Sequence, residues 1–122
     1  MDFLKRNALD FLKYAELLFN NQNYNLAMFS LEQSLQLALK YYLSELTGSF
    51  PRTHDIVDLL KKIVELTNNS KLSEILKNDI CTLDLLKEAY IASRYLPSNY
   101  DKEAVEKAMN LVKVILNELG IS

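Results

Sequence analysis

Apolar residues recur along this chain at alternating steps of three and four, the spacing that keeps one face of a helix apolar. The first such stretch, residues 2–20, carries Leu4, Ala8, Phe11, Ala15 and Leu18, with Asp2 placed to cap it. The tract NNQN at 20–23 ends it, because Asn disfavours helix interiors and accepts turn geometry. The second stretch, 24–47, repeats the step with Met28, Leu31, Leu35, Ala38 and Tyr42, and adds Leu26, Phe29, Leu37, Leu39, Tyr41 and Leu43 on other faces. Only a narrow polar stripe remains, through Asn25, Glu32, Gln36, Lys40 and Ser44. A helix apolar over so wide an arc must be covered on more than one side, either as the centre of a bundle or at a subunit interface.

Three further stretches follow. Residues 54–67 place Ile56, Leu59, Leu60, Ile63 and Leu66 on one face after a break at Gly48 and Pro51. Residues 71–95 form a long segment striped by Leu72, Leu76, Ile80, Leu83, Leu86 and Tyr90, with Asp79 set into that face, a solvated or salt-bridged acid in preference to half of a carboxylate pair with Asp84. After Pro97, residues 102–119 carry Val105, Ala108, Val112, Ile115 and Leu119, with Asp101 as cap. No stretch alternates with the period of a strand. The expected fold is all-α: one domain over 1–122, an up-and-down antiparallel bundle of four long helices plus one shorter helix. The second stretch has a tetratricopeptide look, but no second copy follows residue 50, and a solenoid needs stacked repeats.

Composition narrows the function. With two glycines and two prolines the chain has few places to turn, which agrees with long helices. A net charge of −2 gives no general case for nucleic acid, and no DNA partner is predicted. The single cysteine, Cys81, cannot form an internal disulfide, and its apolar neighbours favour a buried thiol. No apolar run reaches the ~20 residues of a membrane span, and the N-terminus lacks a signal-peptide pattern, so a cytoplasmic protein is expected. One His and one Cys make a metal site implausible. No phosphate-binding glycine loop is present, and no cofactor is expected.

The chemistry concentrates in SFPRTHDIVDLL, residues 49–60, which holds the only histidine, His54, beside Arg52 and Asp55. In an up-and-down bundle, the start of the third helix, the end of the fourth and the start of the fifth share one end. That end gathers Arg52, His54, Asp55, Arg94, Tyr95 and Tyr100, two of the three arginines among them. A helix N-terminus pointing there adds free N–H groups, a setting for a phosphate or another anion. Tyrosines 41, 42, 90, 95 and 100 are candidates to stack on a base, or else amphipathic edges of the core. The competing reading is structural: Thr53 caps the helix, Asp55 complements its dipole and pairs with Arg94, and His54 bonds a loop carbonyl.

These residues carry a resemblance. Tyr24 and Ala27, then Pro51, Thr53, His54, Asp55, Ile56, Leu59 and Leu60, then Tyr90, Ala92, Arg94 and Tyr95 stand in an order that resembles the HEPN domain family. The resemblance covers nearly the whole chain, and THD and SRY are its most specific parts. It implies a helical bundle that commonly pairs into a homodimer, here through helix two and its neighbours, where the surplus apolar face lies. It implies work near nucleotides or RNA. Small stand-alone members are often paired with a minimal nucleotidyltransferase, as in a toxin–antitoxin pair. Other members are metal-independent ribonucleases whose motif is an Arg, four to six residues, and a His. Here Arg52 and His54 are separated by one residue and no histidine follows Arg94. No catalytic residue is therefore carried over. The expectation is a non-enzymatic module that binds a nucleotide, an RNA end or a nucleotidyltransferase. The alternatives are a degenerate ribonuclease and a purely structural dimeric interaction protein.

Overall fold

The computed structural model describes residues 2–95 and 99–122, with the side chains of residues 93–95 outside the description. Among the described residues there are six helices and no strand: α1 (Asp2–Asn20), α2 (Tyr24–Thr47), α3 (Ile56–Thr67), α4 (Ser70–Asn78), α5 (Ile80–Tyr95) and α6 (Lys102–Glu118). The all-α bundle is as the apolar spacing requires. The extra helix comes from a break at Asp79, which divides the expected fourth helix. Asp79 donates its N–H to the Ile75 carbonyl, closing α4, and its own carbonyl accepts from Leu83 N, opening α5. The buried positions on either side (Leu72 and Ile75, then Leu83 and Leu86) stay nearly in phase across the break. The apolar repeat therefore runs through it unmarked.

The helix ends follow local chemistry. Gly48 takes the left-handed conformation at φ 86° that closes α2, and its N–H reaches the Ser44 carbonyl. The α1–α2 turn places its left-handed residue at Gln22, not at one of the asparagines around it. Asn69 caps α4 through Leu72 N and also donates to Glu118 at 2.9 Å, tying the α3–α4 turn to the end of α6. Asp101 caps α6 through Ala104 N at 2.8 Å, as its position predicts.

Helix α2 is the axis of the molecule. It packs against α1, α3, α5 and α6. Met28, Leu31, Leu35, Ala38 and Leu39 are wholly shielded from solvent. Ala8, Ala15 and Ala27 let α1 and α2 approach closely, and Ser34 Oγ donates to the Ala8 carbonyl at 2.7 Å across that seam. Much of the wide apolar arc of α2 is thus covered within the chain, while Leu26 and Leu46, near its ends, are exposed and Phe29, Leu37, Tyr41 and Tyr42 are partly so. Cys81 is exposed, contrary to the buried thiol expected: it stands one residue off the stripe of Thr82, Leu83, Leu86 and Ala89.

Truncation at the centre tests this arrangement. Leu35→Ala removes a side chain with no solvent exposure from the hub helix and should cost about 2–5 kcal/mol, read as a lower urea midpoint at unchanged slope.

Candidate functional site

The polar stripe of α2 does not face water. Glu32 is fully buried, and Gln36 and Lys40, each one turn further on, retain only 5% and 7% of their exposure. After Gly48 the chain turns back along this stripe. Phe50 lies under the Lys40 ammonium at 5.7 Å from ring centre to Nζ, a cation–π distance. Four residues later His54 reaches Gln36, its Nδ1 lying 3.2 Å from the Gln36 Oε1. The other end of the Gln36 amide donates to Glu32 Oε2 at 2.8 Å, and Gln33 donates to Glu32 Oε1 at 2.7 Å. Lys40 feels two opposed influences: burial lowers its pKa, and the negative charge of Glu32 works against that.

His54 itself is exposed. Its ring is held from a second side by Tyr90 of α5, stacked at 4.9 Å between centroids and 16° between planes. Asp55 starts α3: its Oδ1 accepts from Val57 N at 2.9 Å and Asp58 N at 3.3 Å, and its Oδ2 takes Lys87 of α5 at 3.0 Å. Burial alone would raise the Asp55 pKa. The Lys87 hydrogen bond and charge and the two backbone N–H groups outweigh it, and the net direction is below the ordinary aspartate value. Lys87 moves up in return, chiefly through its hydrogen bond to Asp55.

Several expectations change here. Asp55 is the cap, and α3 begins at Ile56; Thr53 instead steadies the approach, its Oγ1 accepting from Asp55 N at 3.1 Å. Among the described residues Asp55 pairs with Lys87; the expected pair with Arg94 falls on a side chain outside the described residues. The His54 ring rests on a side-chain amide, not on a loop carbonyl. The meeting point lies along the flank of α2, because the loop folds back over Lys40 and Gln36. Tyr100 is elsewhere. Its N–H donates to Asn25 Oδ1 at 3.2 Å, and 25 to 36 is eleven positions, about 16 Å along a helix. There Tyr100 shares a polar cleft of about 210 Å³ with Gln22, Asn23, Tyr24, Asn25 and Asn99. Burial, then the charge of Glu88, pushes its phenol upward.

Arg52 is exposed in the loop two residues before His54. The backbone of Arg94 and Tyr95 forms the end of α5, with Arg94 one turn beyond Tyr90, while the side chains of both lie outside the described residues. Gln36, Glu32 and Lys87 are members of the arrangement that sequence reasoning missed. The signal was the i, i+4, i+8 series Glu32–Gln36–Lys40 on a helix too apolar elsewhere to have a wet side. Among the described residues, no group of three or more His, Cys, Asp or Glu side chains could hold a metal. A larger cavity of about 370 Å³ lies between α4, α5 and α6, lined by Ile75, Thr82, Leu111 and Val114 with Lys71 and Lys107 at its edge. None of the His54 cluster lines it.

The described residues thus form an all-α bundle built around one largely buried central helix. The chain belongs to the HEPN domain family, whose model matches residues 1–121. The family is one connected with nucleotides and RNA. The fold is similar to a crystal structure of an archaeal HEPN homologue, with a TM-score of 0.70, 24% identity, and coverage of 98% of this chain and 93% of that one. No curated protein matches the chain. HEPN domains often dimerise. No described helix is long and apolar enough to cross a membrane.

Acid should weaken the α3 anchor. Stability from a lowered carboxyl pKa is present above the unfolded value and is lost as pH falls below about 4 toward the folded value. Asn still caps a helix but cannot pair with Lys87. Asp55→Asn should therefore melt below the parent protein at pH 7, with the gap narrowing as pH drops through 4 to 3 in a thermal-melt series.

Proposed function

We propose that this chain is a non-enzymatic HEPN module that takes a nucleotide or an RNA end beside His54, and presents the same surface to a nucleotidyltransferase partner. The observation that carries the reading is an exposed imidazole held on two sides, by Gln36 below and Tyr90 against its face. The same contacts that pin the loop to α2 and α5 leave the outer edge of the ring free of described partners. Fixing the ring in advance lowers the entropy a ligand must overcome. Arg52 on the same loop and Arg94 one turn past Tyr90 supply the positive charge for phosphate. Asp55 is assigned to structure, since its oxygens serve the α3 cap and Lys87. Tyr100 is assigned to the separate cleft at Asn25.

The spacing of Arg and His supports a binding role in place of cleavage. His54 is the only histidine, and the interval from Arg52 is too short for the family's ribonuclease motif. The role of small stand-alone members in toxin–antitoxin pairs supports the nucleotidyltransferase partner.

Binding is measured by thermal shift and fluorescence polarisation with ATP, GTP and a short single-stranded RNA as probes. One of these should raise the melting temperature, and Arg94→Ala should weaken its complex about tenfold or more, the worth of one charged hydrogen bond. For RNA, the same substitution should flatten the salt dependence of affinity by about 0.7 in slope for each phosphate that Arg94 neutralises. No shift with any probe overturns the binding claim. RNA cleavage that disappears in His54→Ala would replace this reading with a ribonuclease. A tagged chain purified from its native cells should retain a nucleotidyltransferase identifiable by mass spectrometry; recovery of the chain without one removes the partner from the reading.

A further inference from the structure

We infer that Glu32 and Gln36 act together as positioning residues that hold neutral His54 as its Nδ1–H tautomer, leaving Nε2 as an exposed lone-pair acceptor for a ligand hydroxyl or amino group. Donor and acceptor requirements link the three side chains. Glu32 is fully buried and receives N–H groups from both Gln33 and Gln36, while Lys40 places a positive charge nearby. These partners match the carboxylate form, which can only accept. The Gln36 end facing Glu32 must then be its NH2, which fixes the direction of the amide. Its carbonyl oxygen is left facing His54 at 3.2 Å, and a carbonyl oxygen only accepts. His54 Nδ1 must therefore carry the proton, and in the neutral ring Nε2 carries none. The amide relays a constraint set at a buried carboxylate to a nitrogen at the surface, two residues away through space.

The consequence is a ligand preference. An unprotonated Nε2 repels a phosphate oxygen and accepts a hydrogen bond from a hydroxyl or an amine. A ribose hydroxyl or a base amino group is thus the partner of His54, and phosphate is left to Arg52 and Arg94. This ligand preference rests on the nucleotide-binding reading above. The tautomer does not, because it belongs to the protein without ligand.

One histidine in the chain makes the test direct, since every imidazole signal is His54. A long-range 1H–15N spectrum of the uniformly labelled protein, in buffer alkaline enough for a neutral ring, should show a protonated Nδ1 and an unprotonated Nε2. A dominant Nε2–H form in the unaltered protein overturns the proposal, whatever the variants do. Gln36→Met keeps volume and removes the strong acceptor; Glu32→Gln frees the Gln36 amide to turn. Either variant, with its folded state checked by backbone amide shifts, should move the ring toward the Nε2–H form that free imidazole side chains favour. Persistence of Nδ1–H in folded Gln36→Met removes Gln36 from the positioning role. Short single-stranded RNA added to the parent protein should then shift the Nε2 resonance in the direction of an accepted hydrogen bond, with Nδ1 nearly unmoved. Binding by polarisation with an unmoved Nε2 overturns the ligand preference alone, and absent binding refutes the nucleotide reading while the tautomer stands.

Discussion

A carboxyl group fully shielded from solvent sits in the longest helix, and much of its surroundings is arranged around keeping it satisfied. Burying such a group without partners costs several kcal/mol, so Glu32 is tolerable only with hydrogen-bond partners in place. Two come from its own helix, Gln33 and Gln36, and Lys40 lies two turns along on the same line. Their polar ends also face inward, which gives α2 a buried hydrophilic seam inside an otherwise apolar surface. The loop after α2 closes that seam, with Phe50 at Lys40 and His54 at Gln36. The direction in which the chain leaves α2 is therefore tied to the polar stripe. The hydrophobic effect, having no direction, could have placed the loop in many ways.

The helices were legible because their cause is local and repetitive. Apolar spacing marks where each begins and ends within a turn or two, and Gly48 and Asp101 punctuate as their chemistry requires. Two features escaped for opposite reasons. The break at Asp79 leaves the apolar repeat nearly in phase, so periodicity carries no trace of it. The polar stripe was visible, but a polar residue on a helix ordinarily means water. Only the width of the apolar arc argued that the stripe had no water to face. Cys81 shows the same limit at one residue: apolar neighbours in sequence are not neighbours in space, and the step from 81 to 82 on a helix turns the side chain by about 100°.

The candidate site was legible in part. His54 stands out as the only histidine in the chain, and the directions of the helices alone place its companions at a bundle end. The fold-back of residues 49–55 moves His54 onto the flank of α2, where Tyr90 of α5 meets it, since a loop long enough to return along its parent helix can set its residues anywhere on the flank. Tyr100, reached by counting helices, lies about 16 Å along α2 from the Gln36 level instead.

The division of labour between His54 and Asp55 follows from what each has to satisfy. Adjacent in sequence, they sit on either side of a boundary, the last loop residue and the cap of α3. The Asp55 carboxylate accepts from two backbone N–H groups and an ammonium, a set that leaves it a poor base and a poor ligand. The imidazole has one nitrogen anchored and the ring stacked, which uses half its hydrogen-bonding capacity and most of its freedom. The residue that resembles a catalytic acid is thereby a fastening between α3 and α5. That fastening sets the helix start directly behind His54, whose ring is then oriented by Gln36 and Tyr90. A stretch that reads as a compact catalytic cluster is, on these contacts, one presented group and the clamp that presents it.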